Sequence, residues 1–414
     1  MTKHREDPSD FVLEQVHDQD TREYTRQRNA AAWKNLLSTE DYVTREHVLG
    51  LSKITCSDPN RLLVFTLKGK EPAAQPLCSC ELLIRESWRY STDANGIVTR
   101  TNVLSGCIGG VYTYEENRGR GLAAIMVDKV VEEAKKDDLL AADGFIFLYS
   151  EVGEYYAQNG FKSFPVDLVN LPLSYSGAAS TGLKTGFELI KYNEFADLFE
   201  VYNQHFDRAM RHKVGHDGID RISINPSSDY VDWFHLRAKF FGVKLFDDKV
   251  SDFDFATESL DSLSHKFSAS EPVYFGIKSV CPETGKLKGF VVWQYEYGYN
   301  EELGQFENYI TLIKSFVDDE VFNPDEVSLE LIGVMKEYLE AEHGVPQMSN
   351  FHKIVIWESE ISPAVKKVLI NRYKCTHGLE NSSRSAILYN NKEDDHKLKS
   401  GDIIWENNTK LPWF

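Results

Sequence analysis

The sequence predicts an α/β (α+β) protein made of two successive domains, each with a mixed central sheet. Three observations carry this expectation. Residues 105–150 read as strand, glycine-rich turn, helix and strand. The segment before them supplies further strands and two helices. The second half then repeats a strand–helix–strand–helix alternation. With 414 residues the chain is too long for one typical domain. The expected division is 1–170 for the first domain, 171–186 for a linker and 187–414 for the second domain.

In chain order, residues 11–16 alternate like a first strand. Asp20 or Thr21 can cap a helix running to about Leu37, with Tyr24, Ala31, Ala32, Trp33, Leu36 and Leu37 as its apolar face. A second helical pattern covers 42–54. Residues 62–67, 78–84 and 98–103 read as strands, with a turn at 68–75. A strand at 105–114 leads into the turn Asn117-Arg118-Gly119-Arg120-Gly121-Leu122-Ala123. The helix after it runs to about residue 136, with Ala123, Ile125, Met126, Val130, Val131 and Ala134 at helical spacing. Residues 144–150 form the next strand. Residues 154–161 read as one or two helical turns stopped by Gly160. Residues 165–186 are rich in Ser, Gly, Pro and Leu and read as the join.

In the second half, 187–211 reads as a short strand and then a helix. Strands are expected at 273–280, 289–296 and 309–316. The helix at 324–342 carries the stripe Val327, Leu331, Val334, Met335, Tyr338 and Leu339. A strand at 353–357, a helix at 363–373 and a last strand at 386–389 complete the reading. Glu393-Asp394-Asp395 and the nearby lysines read as a solvated stretch.

The turn at 117–123 is built for an anion. Its glycines remove Cβ atoms, so backbone can approach a ligand closely. The first N–H groups of the helix have no internal partner and point out of its N-terminus. With the helix dipole they make a seat for phosphate, to which Arg118 and Arg120 can add charge-assisted bonds. By contrast, Val317-Asp-Asp-Glu-Val-Phe-Asn323 occupies the matching place in the second half. It has no glycine and three carboxylates, and would repel a pyrophosphate. The second domain is therefore either a relic of the first without a phosphate loop or an unrelated α+β unit.

Composition bounds the function. Hydrophobic residues make up 42% and charged residues 27%, as in a globular protein. No apolar run reaches membrane-spanning length. A net charge of −18 argues against a nucleic-acid partner and is compatible with a cationic substrate. Among six cysteines only Cys78 and Cys80 are close, and no second pair completes a zinc site, so no metal is expected. Reduced cysteines fit a cytoplasmic protein. The N-terminal Met-Thr-Lys-His-Arg-Glu-Asp-Pro is polar, which sets the expectation of neither a secretory signal nor a transit peptide.

Two ordered motifs carry a family resemblance. Arg118, Gly121 and Ala123 form an Arg-x-x-Gly-x-Ala pattern, and Tyr156, Gly160 and Phe161 form Tyr-x-x-x-Gly-Phe. In this strand and helix context, about forty residues apart, they resemble the signature motifs of the GNAT acetyltransferases. The resemblance implies a GNAT fold with a splayed central sheet and acetyl-CoA as acyl donor. Its pyrophosphate would lie on the amides of Arg118, Gly119, Arg120, Gly121, Leu122 and Ala123. The pantetheine arm would pair with the backbone of Val111, Tyr112 and Thr113. Tyr156 would protonate the leaving thiolate. Tyr155 is the alternative phenol, but only Tyr156 stands four residues before Gly160. A backbone N–H at a strand bulge near Val111 or Tyr112 can serve as the oxyanion donor.

The run 147–161, the chain length and the divergent second half further resemble the fungal lysine N6-acetyltransferases, which acetylate the ε-amine of free L-lysine. Tyr149-Ser150 departs from the asparagine of many GNAT members. An ε-amine with a pKa near ~10.4 must lose a proton before attack. Glu81 and Glu86 are candidates for handling that proton, and the carboxylate after Lys410-Leu-Pro-Trp-Phe414 is a third. The expected activity is acetylation of a small primary amine, with free L-lysine foremost. A protein or peptide N-acetyltransferase and a non-catalytic acyl-CoA-binding regulator are the alternatives.

Overall fold

The computed structural model describes residues 6–71, 73–174, 182–300, 302–378 and 384–414. The first five residues and the stretch 175–181 of the expected join lie outside them. Two mixed sheets organise the described residues. The first has the strand order Phe11–Gln15, Arg61–Gly69, Cys78–Thr92, Val98–Thr113, Phe145–Ser150, Arg384–Tyr389, Lys162–Phe164. The second runs Thr376–His377, Leu168–Pro172, Phe351–Trp357, Asn308–Val317, Leu287–Glu296, Tyr274–Val280, Phe187–Lys191.

The halves exchange strands. Arg384–Tyr389 from the C-terminal half pairs antiparallel with Phe145–Ser150 of the first sheet. Leu168–Pro172 goes the other way and pairs with Phe351–Trp357. Asp220–Ile224 pairs with the far end of Cys78–Thr92, at Ser87 to Tyr90, and with Ile403–Trp405. One apolar cluster consequently runs through both halves, from Ala30 to Leu411.

Local chemistry sets the element ends. Asp18, not Asp20 or Thr21, caps the first helix, Gln19–Trp33, by accepting from the Thr21 N–H at 2.7 Å. That helix stops before the expected Leu37, because Asn35 takes the left-handed conformation at φ 49°. Ser38 caps the next helix, Thr39–Leu49. The strands expected separately at 98–103 and 105–114 are one strand, Val98–Thr113, in a long hairpin with Cys78–Thr92. Arg384–Tyr389 is not the last element. Glu393, Asp394 and Asp395 open a further helix, Lys392–Ser400, where acidic residues favour the positive end of the dipole.

A bulge and a splay shape the centre of the first sheet. The register of Cys78–Thr92 on Val98–Thr113 passes from Ser79↔Tyr112 to Glu81↔Gly109, so Gly110 and Val111 together face Cys80. Gly110 has φ +57°, which glycine adopts without Cβ strain. On the other edge, parallel pairing with Phe145–Ser150 runs from Ser105↔Phe145 to Ile108↔Leu148 and stops there. Beyond that point the two strands diverge.

The second sheet repeats this plan. Its parallel pairs end at Thr311↔Val355, and a bulge at Ile313 follows. A helix, Pro324–Ala341, comes next. The second half thus repeats the strand, bulge and helix order of the first in altered form. Its gap is filled by protein. The Glu360 carboxylate accepts from the Ser315 N–H at 2.9 Å and from Lys314 Nζ at 3.2 Å, and Asn407 Oδ1 takes Lys314 Nζ at 2.9 Å.

Candidate active site

The turn at 117–123 folds as its composition demands. Glu115–Asn117 makes one 3₁₀ turn, and Gly119 and Gly121 follow at φ +83° and +78°. Gly121 is the N-cap of the helix Leu122–Ala134, and having no side chain it leaves the cap open. The first helical bond runs from the Ile125 N–H to the Gly121 carbonyl at 3.3 Å. The amides before Ile125 are therefore presented at the helix end. In the second half, Asn323 closes the equivalent end by accepting from the Asp325 and Glu326 N–H groups at 3.1 and 3.4 Å. One helix N-terminus is thus open to an anion and the other is capped by its own chain.

The arginines of the turn are engaged within the protein. Arg118 lies on the Tyr112 ring and donates to its hydroxyl at 2.9 Å. Arg120 is bidentate to Glu6 and also reaches Asn117 Oδ1 at 3.1 Å. Phosphate contact by either side chain would draw on the N–H groups these partners leave or exchange a partner.

Tyr156 sits in the 3₁₀ turn Tyr155–Asn159, which Gly160 terminates at φ +91°. Asn159 Nδ2 ties this turn to the helix Leu122–Ala134 through the Ala124 carbonyl at 2.9 Å and Asp128 Oδ1 at 2.6 Å. The two sequence motifs are therefore joined in space. Tyr155 is more exposed, and its ring meets Tyr156 edge-on at 5.1 Å. Burial pushes the Tyr156 phenol well above its ordinary value, and Tyr155 adds to this. It stays protonated at neutral pH and can act as an acid.

A cavity of about 400 Å³ opens where the central strands splay. Gly110, Val111, Glu81 and Tyr156 line it together. Tyr112, Thr113 and residues 118–123 do not. Burial pushes the Glu81 carboxyl up to about 7, and Glu46 adds to that, while Arg26, Arg22 and Arg45 oppose it. A carboxyl balanced near neutrality suits proton transfer. Glu86 stands an odd number of residues along the same strand and so on the other face. It lies in a separate hollow with Pro59 and Asn102.

The chain end reaches the same cavity. Trp413 and Phe414 line it. Trp413 stacks on Tyr149 at 5.1 Å, and the Tyr149 hydroxyl donates to the Thr409 carbonyl at 3.1 Å. Buried Arg85 donates to the Pro412 carbonyl. Tyr149, the departure from the GNAT pattern, thus anchors the C-terminal segment.

Several cavity residues escaped the sequence reading. Trp233, Phe234 and Arg237 line it from one face of the helix Ser228–Phe246. Glu46 and Arg45 form an ion pair on Thr39–Leu49, and Glu296 ends Leu287–Glu296. Lys410 also faces the cavity. That helix is buried around its circumference, so no apolar stripe marked these residues.

A family model described as the LYC1 GNAT-like C-terminal domain matches residues 171–414, more than half of the chain. The chain belongs to this LYC1-like GNAT family. It is an acyltransferase of the GNAT kind. The uncharacterized protein YGR111W of Saccharomyces cerevisiae is 24% identical to the LYC1-like chain, over 98% of this chain and 98% of that protein. Saccharomyces cerevisiae N-myristoyltransferase with bound myristoyl-CoA is similar at 10% identity and a TM-score of 0.48, over 94% of this chain and 84% of that one. A tandem GNAT protein from the clavulanic acid biosynthesis pathway is 10% identical with a TM-score of 0.44, over 92% of this chain and 99% of that one.

Proposed function

We propose that this LYC1-like chain transfers the acetyl group of acetyl-CoA to a small primary amine, foremost the ε-amine of free L-lysine. The supporting observation is the convergence of Glu81, the Gly110–Val111 bulge and Tyr156 on one cavity. The open amides at Gly121 and the gap beyond Ile108 and Leu148 suit a phosphate-bearing, extended cofactor. Bound there, acetyl-CoA supplies an activated acyl carbon.

The residues divide the work. Glu81 accepts a proton from the acceptor ammonium, freeing the nitrogen lone pair. The backbone at the bulge provides N–H groups for the negative charge that develops on the acyl oxygen. Tyr156 gives a proton to the departing sulfur. A cavity of about 400 Å³ lies in the lower part of the roughly 300–1,000 Å³ range of small-molecule sites. That volume favours a free amine over a polypeptide. The second half contributes cavity walls, and its own filled gap suits a supporting role.

The test incubates the protein with acetyl-CoA and a panel of free amines and lysine-containing peptides, following thiol release. Free L-lysine is expected to exceed any peptide by roughly tenfold or more in kcat/KM. A peptide preference would replace this reading with the polypeptide one.

A further inference from the structure

The walls of the cavity carry charge of both signs, and the charges are not evenly partnered. Arg45 is paired with Glu46. Lys410 holds its Nζ 3.3 Å from the centre of the Trp413 ring and feels the attraction of Glu296 and Glu151. Burial pushes it down to about 8, so it remains largely charged at neutral pH. Arg237 differs. Among the described residues no hydrogen bond, ion pair or ring contact engages its guanidinium, although Arg237 lines the cavity. Arg89 on Asp220 and Asp394, and Arg221 on Asp217 and Glu406, are by contrast closely paired.

The charge is also placed with direction. Tyr42 responds to Glu46, Arg45, Glu81 and Arg237. Tyr309 and Lys410 respond to Glu296, Arg237 and Glu151. Arg237 lines the same cavity as Glu81 and Lys410, and its charge acts on Tyr42, as that of Glu81 does, and on Tyr309 and Lys410. Its helix fixes it there, since Trp233 and Phe234 share its face and are buried against the chain end, with Trp233 6.2 Å from the Phe414 ring.

We propose that Arg237, assisted by Lys410, is the specificity-determining residue that holds the carboxylate of a free amino-acid acceptor while its distal amine meets Glu81. This rests on the acetyltransferase reading of the cavity. A guanidinium offers a planar fork of donors that matches a carboxylate with two parallel bonds. A ligand bearing an amine at one end and a carboxylate at the other satisfies both ends of the cavity at once. A simple diamine leaves Arg237 and Lys410 facing a like charge. A lysine within a polypeptide has no carboxylate to offer them.

The experiment compares L-lysine with cadaverine, the same diamine without the carboxylate, in the full-length protein. Wild type is expected to prefer L-lysine. In Arg237→Gln the ratio of kcat/KM for L-lysine over cadaverine falls by about tenfold or more, through the KM for L-lysine, and Arg237→Lys restores part of it. Calorimetry of L-lysine binding to the protein saturated with CoA gives a readout independent of turnover, and weakened binding in Arg237→Gln supports the seat. An unchanged ratio with unchanged L-lysine affinity overturns it. Acetyl-CoA binding measured on each variant separates the two levels. A variant that binds acetyl-CoA normally and keeps its L-lysine preference defeats the carboxylate seat alone. Wild type that binds L-lysine through Arg237 but transfers no acetyl group to any amine defeats the proposed reaction and leaves the seat supported.

Discussion

Glu6 holds Arg120 through both carboxylate oxygens, at 2.6 and 2.9 Å, across the head of the helix where an anion would sit. The pair holds the Glu6 carboxyl below its ordinary value. A phosphate bound at this helix end would compete with Glu6 for the same guanidinium. Glu6→Gln removes the competing charge, so acetyl-CoA affinity is expected to rise a few-fold by calorimetry. The pair is well exposed and screened by solvent, so thermal stability should hardly move. Unchanged or weaker affinity would show that Arg120 takes no part in the cofactor seat.

Gly121 is the second test of that seat. Aspartate tolerates a left-handed φ better than most residues, so Gly121→Asp should fold. Its carboxylate would cap the open amides and oppose phosphate charge. Acetyl-CoA affinity is then expected to fall by roughly tenfold or more, with a melting temperature close to wild type. Undiminished binding would place the cofactor elsewhere.

How far these features could be read from sequence depended on whether they are local. The turn at 117–123, the Gly160 stop and the helix Pro363–Tyr373 are written in neighbouring residues, through glycine positions, a proline start and helical spacing. The helix Ser228–Phe246 is not. It buries Tyr230, Trp233, Phe234, His235, Lys239 and Phe240 around its whole circumference and shows no polar stripe to read. Asp220–Ile224 went unread, and its ladder with Ser87 to Tyr90 makes it a strand. Glu81 was found on its strand because its residue type suits proton transfer. Arg237 and Lys410 come to line the same cavity as Glu81 only across long stretches of chain, and periodicity says nothing about such meetings.

Glu81 gives the reaction a pH signature. Its folded value of about 7 lies above the ordinary 4.5, so the folded state keeps the proton that the unfolded chain has released. Below about pH 7 the carboxyl is protonated and cannot take a proton from the acceptor. kcat/KM should therefore rise with pH to a plateau above that point. Glu81→Gln should lose that limb and lower kcat by about 10²–10⁴. The stability sign is opposite to that of a salt-bridged acid. The cost of ionising Glu81 is absent below pH 4.5, grows up to about 7 and persists above. Glu81→Gln should thus raise the melting temperature more at pH 8 than at pH 5. An unchanged pH profile in the variant would move proton transfer to another group.

Tyr156 separates chemistry from binding. It lines the cavity and packs against the first-sheet core cluster. Tyr156→Phe keeps that packing and removes only the hydroxyl. kcat is expected to fall by about 10²-fold or more while acetyl-CoA affinity stays within a factor of about two. Equal losses in both would make Tyr156 a cofactor contact instead of an acid.

The filled gap of the second half predicts a stability cost. Lys314 and Glu360 have side-chain exposures of only 8% and 1%, and the strand bulge at Ile313 turns the Ser315 amide toward the same carboxylate. Lys314→Met leaves Glu360 buried without its cation, which costs on the order of 3–5 kcal/mol. Adding Glu360→Gln removes the stranded charge yet keeps an acceptor for the Ser315 N–H, so the double variant should recover most of the loss. Urea unfolding of the two single variants and the double variant measures this coupling. A loss below about 1 kcal/mol in Lys314→Met would mean that water already reaches the pair, and that the gap is open enough to admit a ligand.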